Sequence, residues 1–208
     1  MGELSERAKS VWAKSHVDPK QQFVLDGWLP LHQHLADTAA IAELLWNEWA
    51  PRSVKQLLAA SFGSEDAARA LYIWLASVHD VGKSSPAFAV QVSQLAEPMS
   101  AHGLEIDPRI AGTEERRTAR HELVGYLAVS SWLCETHGFD LSSANTIASV
   151  VAAHHGQPPT SVMVNSARDS AHLVGDGAWI TTRNEFLTQA DAAWRAKVEL
   201  GMLRHAEV

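Results

Sequence analysis

At 208 residues and 46% hydrophobic content, the chain is long enough to close one sizeable core and suits a single domain over 1–208. Its 17 basic side chains against 24 acidic ones leave a net charge of −7, which excludes capture of nucleic acid by broad electrostatic attraction. A single Cys134 rules out an internal disulfide and argues against a thiolate zinc cluster. With no apolar signal core in the first residues and no segment of membrane-spanning length, a cytoplasmic protein without a membrane partner is expected.

Helical periodicity runs through almost the whole chain. Leu35, Ala39, Ala42, Leu45, Trp46 and Trp49 recur at helical spacing after Pro30, a residue suited to a helix start. Leu71, Trp74, Leu75 and Val78 form a second stripe that runs into His79, with Gly82 placed to end that helix. Pro98 to Arg117, broken by Pro98, Gly103, Pro108 and Gly112, reads as a long functional or mobile loop. A third stripe is His121, Gly125, Ala128 and Trp132. A fourth, Ile147, Val150, Val151 and His154, stops at Gly156-Gln157-Pro158-Pro159, where glycine accepts a left-handed cap and proline cannot continue. A second irregular stretch, Pro158 to Gly177, precedes a last helix from about Arg183 to Leu200. Alternating strand patterns and internal repeats are absent, so an all-α domain is expected.

Chemistry concentrates in the histidines, of which there are 11. His79-Asp80 sets an imidazole beside a carboxylate, a pair that suits a divalent transition metal; the carboxylate can bridge two ions, whereas each imidazole nitrogen binds one. His34 precedes this pair, and His121 and His154-His155 follow, each on or at the end of a separate apolar stripe. A lone histidine beside Val150 and Val151 would read as a core residue. Two adjacent imidazoles there are costly if buried without partners, and metal coordination removes that cost. Phosphodiester hydrolysis explains the set: two ions stabilise the attacking and leaving oxygens, and a shared Asp80 holds their separation.

Lys83, one turn further on, reads either as a surface lysine or as a point charge for a phosphate oxygen. Arg116, Arg117 and Arg120 read either as a solvated helix start or as a basic lip that binds substrate phosphates. Serine, cysteine and P-loop chemistries lack support: no GxSxG or Walker motif occurs, and Cys134 sits beside Trp132 and Leu133 like a core residue.

The order His34, His79-Asp80, His121, His154-His155 resembles the HD phosphohydrolase superfamily. The flanking words, "WLPLHQHLADTAAIAELLW", "HDVGKSSPAFAVQ", "HELVGYLAVSSWL", "VVAAHHGQPP" and "GDGAWITTRNEFL", look like the HD nuclease domain of the CRISPR-associated helicase–nuclease of type I interference. Gly82-Lys83 followed by Pro86 and Phe88 is the narrowest of these signatures, and the likeness covers about residues 28 to 190. The resemblance implies a helical domain with a metal site in a central cleft. It implies a metal-dependent nuclease that nicks and then degrades single-stranded DNA displaced by an RNA-guided surveillance complex. One or two ions (Mn, Co, Ni, Fe or Zn) and an ATP-driven helicase, fused or separate, come with it. The chain ends before any helicase motif, which implies a stand-alone subunit or a fragment of a longer protein.

By the same resemblance His34, His79, Asp80, His121, His154 and His155 are metal ligands, and Asp80 and Lys83 the catalytic positions; His32 is a helix-entry residue. The family's final aspartate has no clear match. Asp176 and Asp191 are the candidates within the chain, and the equivalent is expected beyond Val208. Two other readings compete. A nucleotide phosphohydrolase would need a closed pocket that recognises a base, and an inactive metal-binding interaction module is compatible with a missing ligand.

Overall fold

The computed structural model describes residues 3–17 and 25–195, and they form a helical body with one two-stranded sheet. Helix α1 (Glu6–Ser10), capped by the Ser5 hydroxyl, leads into strand β1 (Trp12–Val17), which pairs antiparallel with β2 (Leu25–Pro30). Pro30 then caps α2 (Leu31–Leu44), whose last turn widens into a π-helical turn at Leu45–Trp49. Helices α3 (Arg52–Phe62) and α4 (Glu65–Val78) follow, and α4 begins at the Ser64 side-chain cap and carries acidic Glu65 and Asp66 in its first turn. A 3-10 turn (Val81–Lys83) joins α4 to α5 (Pro86–Ala89) and α6 (Ser93–Ala101). Beyond two further 3-10 turns, at Pro108–Ile110 and Glu115–Ala119, come α7 (His121–His137), α8 (Leu141–Ala152), α9 (Ser161–Arg168), α10 (Ala171–Val174) and α11 (Ala178–Arg195).

The core forms where α4 and α7 are wrapped. Helix α8 lies along α7, while α2, α3 and α11 pack on α4. Trp74 of α4 stacks with Trp132 of α7 at 6.3 Å between ring centroids, and Leu31, Val78, Val81, Leu123, Leu133 and Leu187 are fully buried around them. Each such side chain contributes roughly 1.5–3 kcal/mol by leaving water. A buried Arg183 on α11 donates to the carbonyls of Ser84, Val174 and Gly175, tying the chain after the 3-10 turn to the loop before α11. Burial pulls its guanidinium down to about 10, still fully charged at neutral pH.

The all-α expectation describes the body, with local corrections. The β1–β2 hairpin has register shifts at Trp12/Lys14 and His16/Val17, and these bulges erase the alternation that marks a strand. Gly82 does not end α4, which stops at Val78. It is the point where the 3-10 turn meets α7: a Cβ there would lie 1.9 Å from the carbonyl oxygen of His121. The supposed loop from Pro98 begins inside α6, and 158–177 contains α9 and α10. The last helix starts at Ala178, ahead of Arg183, and its expected end at Leu200 lies outside the described residues. Leu45 and Trp49 face solvent, Trp49 at 80% exposure, because the π turn rotates them off the buried stripe.

Candidate metal centre

Four separate elements deliver the predicted donors to one place. His34 sits in the second turn of α2 and is buried. His79 caps the C-terminus of α4, with buried Asp80 next in the bridge region at φ −107°, ψ 12°. His121 is the first residue of α7, brought over Asp80 by the close approach at Gly82. His154 and His155 occupy a 3-10 turn at the end of α8, stopped by Gly156 in the left-handed region at φ 92°.

The two carboxylate oxygens of Asp80 face different histidines. Oδ2 is 2.8 Å from His34 Nε2 and 3.2 Å from His79 Nε2, and Oδ1 is 3.1 Å from His121 Nε2 and 3.4 Å from His154 Nε2. His155 Nε2 lies 3.1 Å from His121 Nε2 and completes the second group. Donors around an ion with bonds near 2.1 Å stand roughly 3.0–3.4 Å apart, in octahedral or tetrahedral geometry. These distances therefore fit two adjacent coordination shells that share one carboxylate. The chemistry fits as well: His79 Nδ1–H donates to the Ala76 carbonyl at 2.8 Å and His154 Nδ1–H to the Val151 carbonyl at 2.7 Å. With Nδ1 of both rings engaged as a donor, Nε2 is the atom each ring turns toward Asp80, and a cation between ring and carboxylate would satisfy both.

Electrostatics follow from this crowding. Burial alone would push the Asp80 carboxyl up, but the imidazoles of His121, His154, His34 and His79 hold it far below its usual value. Burial is the largest single influence on His154 and acts to lower it, but the acceptors Asp80 and the Val151 carbonyl, with the charges of Asp80 and Glu122, together raise the ring above an ordinary imidazole. His155 is lowered, by burial and then by His154 and His121 beside it.

Lys83 is not a surface lysine. Its Nζ is buried, 2.8 Å from Asp80 Oδ2 and 3.0 Å from the Ala13 carbonyl, and it lies 5.4 Å from the Phe88 ring. The three arginines separate. Arg116 turns inward and donates to the Ala87 carbonyl at 3.3 Å. Arg117 pairs with Glu114 and Arg120 with Glu122, and both line a groove of about 420 Å³ against Val162 and Met163 of α9. His32 lies in the first turn of α2 and faces a groove between α2 and α11.

Neither aspartate candidate joins the cluster. Asp191 is buried with its Oδ1 3.6 Å from Nε2 of His137, at the far end of α7. Sixteen residues at 1.5 Å each put that end about 24 Å from His121. Asp176 is exposed in the turn before α11, where its carbonyl accepts from the Trp179 amide. Sequence reasoning overlooked Glu122, whose Oε2 stands 3.4 Å from His121 Nδ1. The Arg120-His121-Glu122 order held that signal, because a carboxylate next to a ligand histidine is a common outer partner.

Comparison with known proteins agrees with this geometry. The family model described as "Cas3, HD domain" matches residues 12–206. A CRISPR-associated nuclease/helicase Cas3 from Streptococcus thermophilus is 31% identical over 160 residues, covering 71% of this chain and 16% of its own. A CRISPR-associated endonuclease/helicase Cas3 from Thermus thermophilus is 29% identical over 188 residues, covering 89% of this chain and 18% of its own. The chain thus spans less than a fifth of the length of these curated relatives. The crystal structure of the Thermus thermophilus cas3 HD domain in the presence of Ni2+ superposes with a TM-score of 0.61 at 25% identity, over 97% of this chain and 73% of that one. By a family match along nearly its whole length, carried on a helical fold whose histidines gather about His79-Asp80, this chain belongs to the family of Cas3 HD domains.

Proposed function

We propose that this chain is a metal-dependent nuclease domain that cuts single-stranded DNA displaced during RNA-guided interference, working beside an ATP-driven helicase. The observation that supports this most is the split of Asp80, one oxygen to His34 and His79 and the other to His121 and His154. Divalent transition-metal ions held there would supply Lewis acidity toward phosphate oxygens and an activated water near neutral pH. His34 and His79 would hold one position and His121, His154 and His155 the other, with Asp80 available to both. Lys83 uses two donors on Asp80 and the Ala13 carbonyl, which leaves its third for a non-bridging oxygen of the substrate. Arg117, which lines the neighbouring groove, would offer the substrate strand local positive charge on a chain that is acidic overall. A cytoplasmic location and association with a surveillance complex belong to the same proposal; no helix among the described residues is long and apolar enough to cross a membrane.

The test is to strip the chain with chelator, then restore Mn, Co, Ni or Zn singly with circular single-stranded DNA, duplex DNA or nucleoside triphosphates. Cleavage of the single-stranded circle that returns with metal and is lost in D80N is expected. Hydrolysis of nucleotides with intact DNA would favour the phosphohydrolase reading, and tight metal binding with no turnover the inactive module.

A further inference from the structure

His79, His154 and His121 do not use the same kind of outer partner. His79 and His154 each donate Nδ1–H to the carbonyl three residues earlier, Ala76 and Val151. His121 opens α7, so the residue three before it lies in the 3-10 turn and not in a preceding turn of the same helix. In place of that carbonyl stands Glu122, with Oε2 3.4 Å from His121 Nδ1 and a side chain only 12% exposed. Its other oxygen, Oε1, forms an ion pair with Arg120 Nε at 3.0 Å. The negative charge of Glu122 also reaches His154 and His155. Glu122 lies in the first turn of α7, where the helix dipole favours an acidic side chain.

We propose that Glu122 is a positioning residue for the metal position formed by His121, His154 and His155, and that Arg120 serves it by fixing the carboxylate instead of binding substrate phosphate. Glu122 holds the proton on His121 Nδ1 and so directs the Nε2 lone pair toward the ion; a carboxylate partner also makes the ring a stronger donor. The inference rests on the metal-centre reading above and adds a direction to it. Because only His121 is served, the effect is confined to one half of the centre.

The experiment is calorimetric titration of the chain with Ni2+, run with Co2+ in parallel so that visible absorption reports the ligand field. H155A identifies which binding step belongs to the His121 half. E122Q keeps the shape and removes the charge; its affinity at that step should fall roughly 10–100-fold, with altered cobalt absorption, while the His34/His79 step is unchanged. R120M should weaken the same step by a smaller factor. Melting of the metal-free proteins checks that the variants fold, and E122D should restore part of the affinity. If wild type binds no metal, the centre itself is misread and the inference goes with it. If wild type binds but E122Q binds equally well, or both steps weaken alike, the positioning role alone is wrong.

Discussion

Substituting alanine at Gly82 tests how α7 is seated on the centre. The added Cβ would lie 1.9 Å from the His121 carbonyl oxygen and 2.4 Å from the Gly125 backbone nitrogen. Both are main-chain atoms of α7, so no side-chain rotation relieves the clash, and the helix must retreat by about 1 Å from the 3-10 turn. Overpacking against backbone belongs at the upper end of its usual range, about 3 kcal/mol. For a chain of this size that lowers the melting temperature by about 6–12 °C. His121 moves with its helix, and a shift of that size takes Nε2 out of the 3.1 Å contacts with Asp80 Oδ1 and His155 Nε2. Misplacement on this scale costs about 100-fold in rate. Circular-dichroism melting in chelator reads the first effect, and metal-dependent cleavage of single-stranded DNA reads the second. A G82A protein that melts within about 2 °C of wild type and cuts at full rate would refute the seating argument.

D80N keeps the shape of the side chain and removes the shared charge. It should weaken both metal positions by more than about 100-fold in titration, and loss at one position only would show that Asp80 does not bridge. R183M leaves the carbonyls of Ser84, Val174 and Gly175 without their buried donor, so unfolding in urea should show about 3 kcal/mol lost; a loss under about 1 kcal/mol would mean water replaces the guanidinium. Metal must displace a proton from His154, whose affinity for it Asp80 raises although burial opposes this, so proton competition begins above the ordinary imidazole value of about 6.5. Metal affinity should therefore fall as pH drops through that value, and equal affinities at pH 7.5 and pH 6 would contradict the assignment.

The gathering of these histidines was legible because each stands at a marked place along an apolar stripe: His79 at the end of one, His154 before a glycine–proline stop, His121 at the head of another. Arg116 shows where reading fails. Nothing in Glu114-Glu115-Arg116-Arg117 says which arginine turns inward, since that depends on the Ala87 carbonyl, 29 positions away along the chain. Lys83 was ambiguous for the same reason, its second acceptor lying 70 positions earlier. Gly82 misled because the conformational freedom that suits a helix end also suits a close backbone crossing, and the crossing partner is remote in sequence. The hairpin was hidden by its own bulges, and Trp49 by a π turn that periodicity counted at 3.6 residues cannot anticipate.

Ala13 is the residue that the first bulge takes out of register, falling between Trp12 opposite Pro30 and Lys14 opposite Leu29. Its carbonyl is also the one that receives Lys83, which in turn holds Asp80. The spacing of a peripheral hairpin is thereby written into the reacting centre. Deleting one residue from β1 would regularise the ladder and withdraw that acceptor, leaving a buried ammonium to lean on Asp80 alone. Length changes in this hairpin should thus be as poorly tolerated as replacement of one of the clustered histidines.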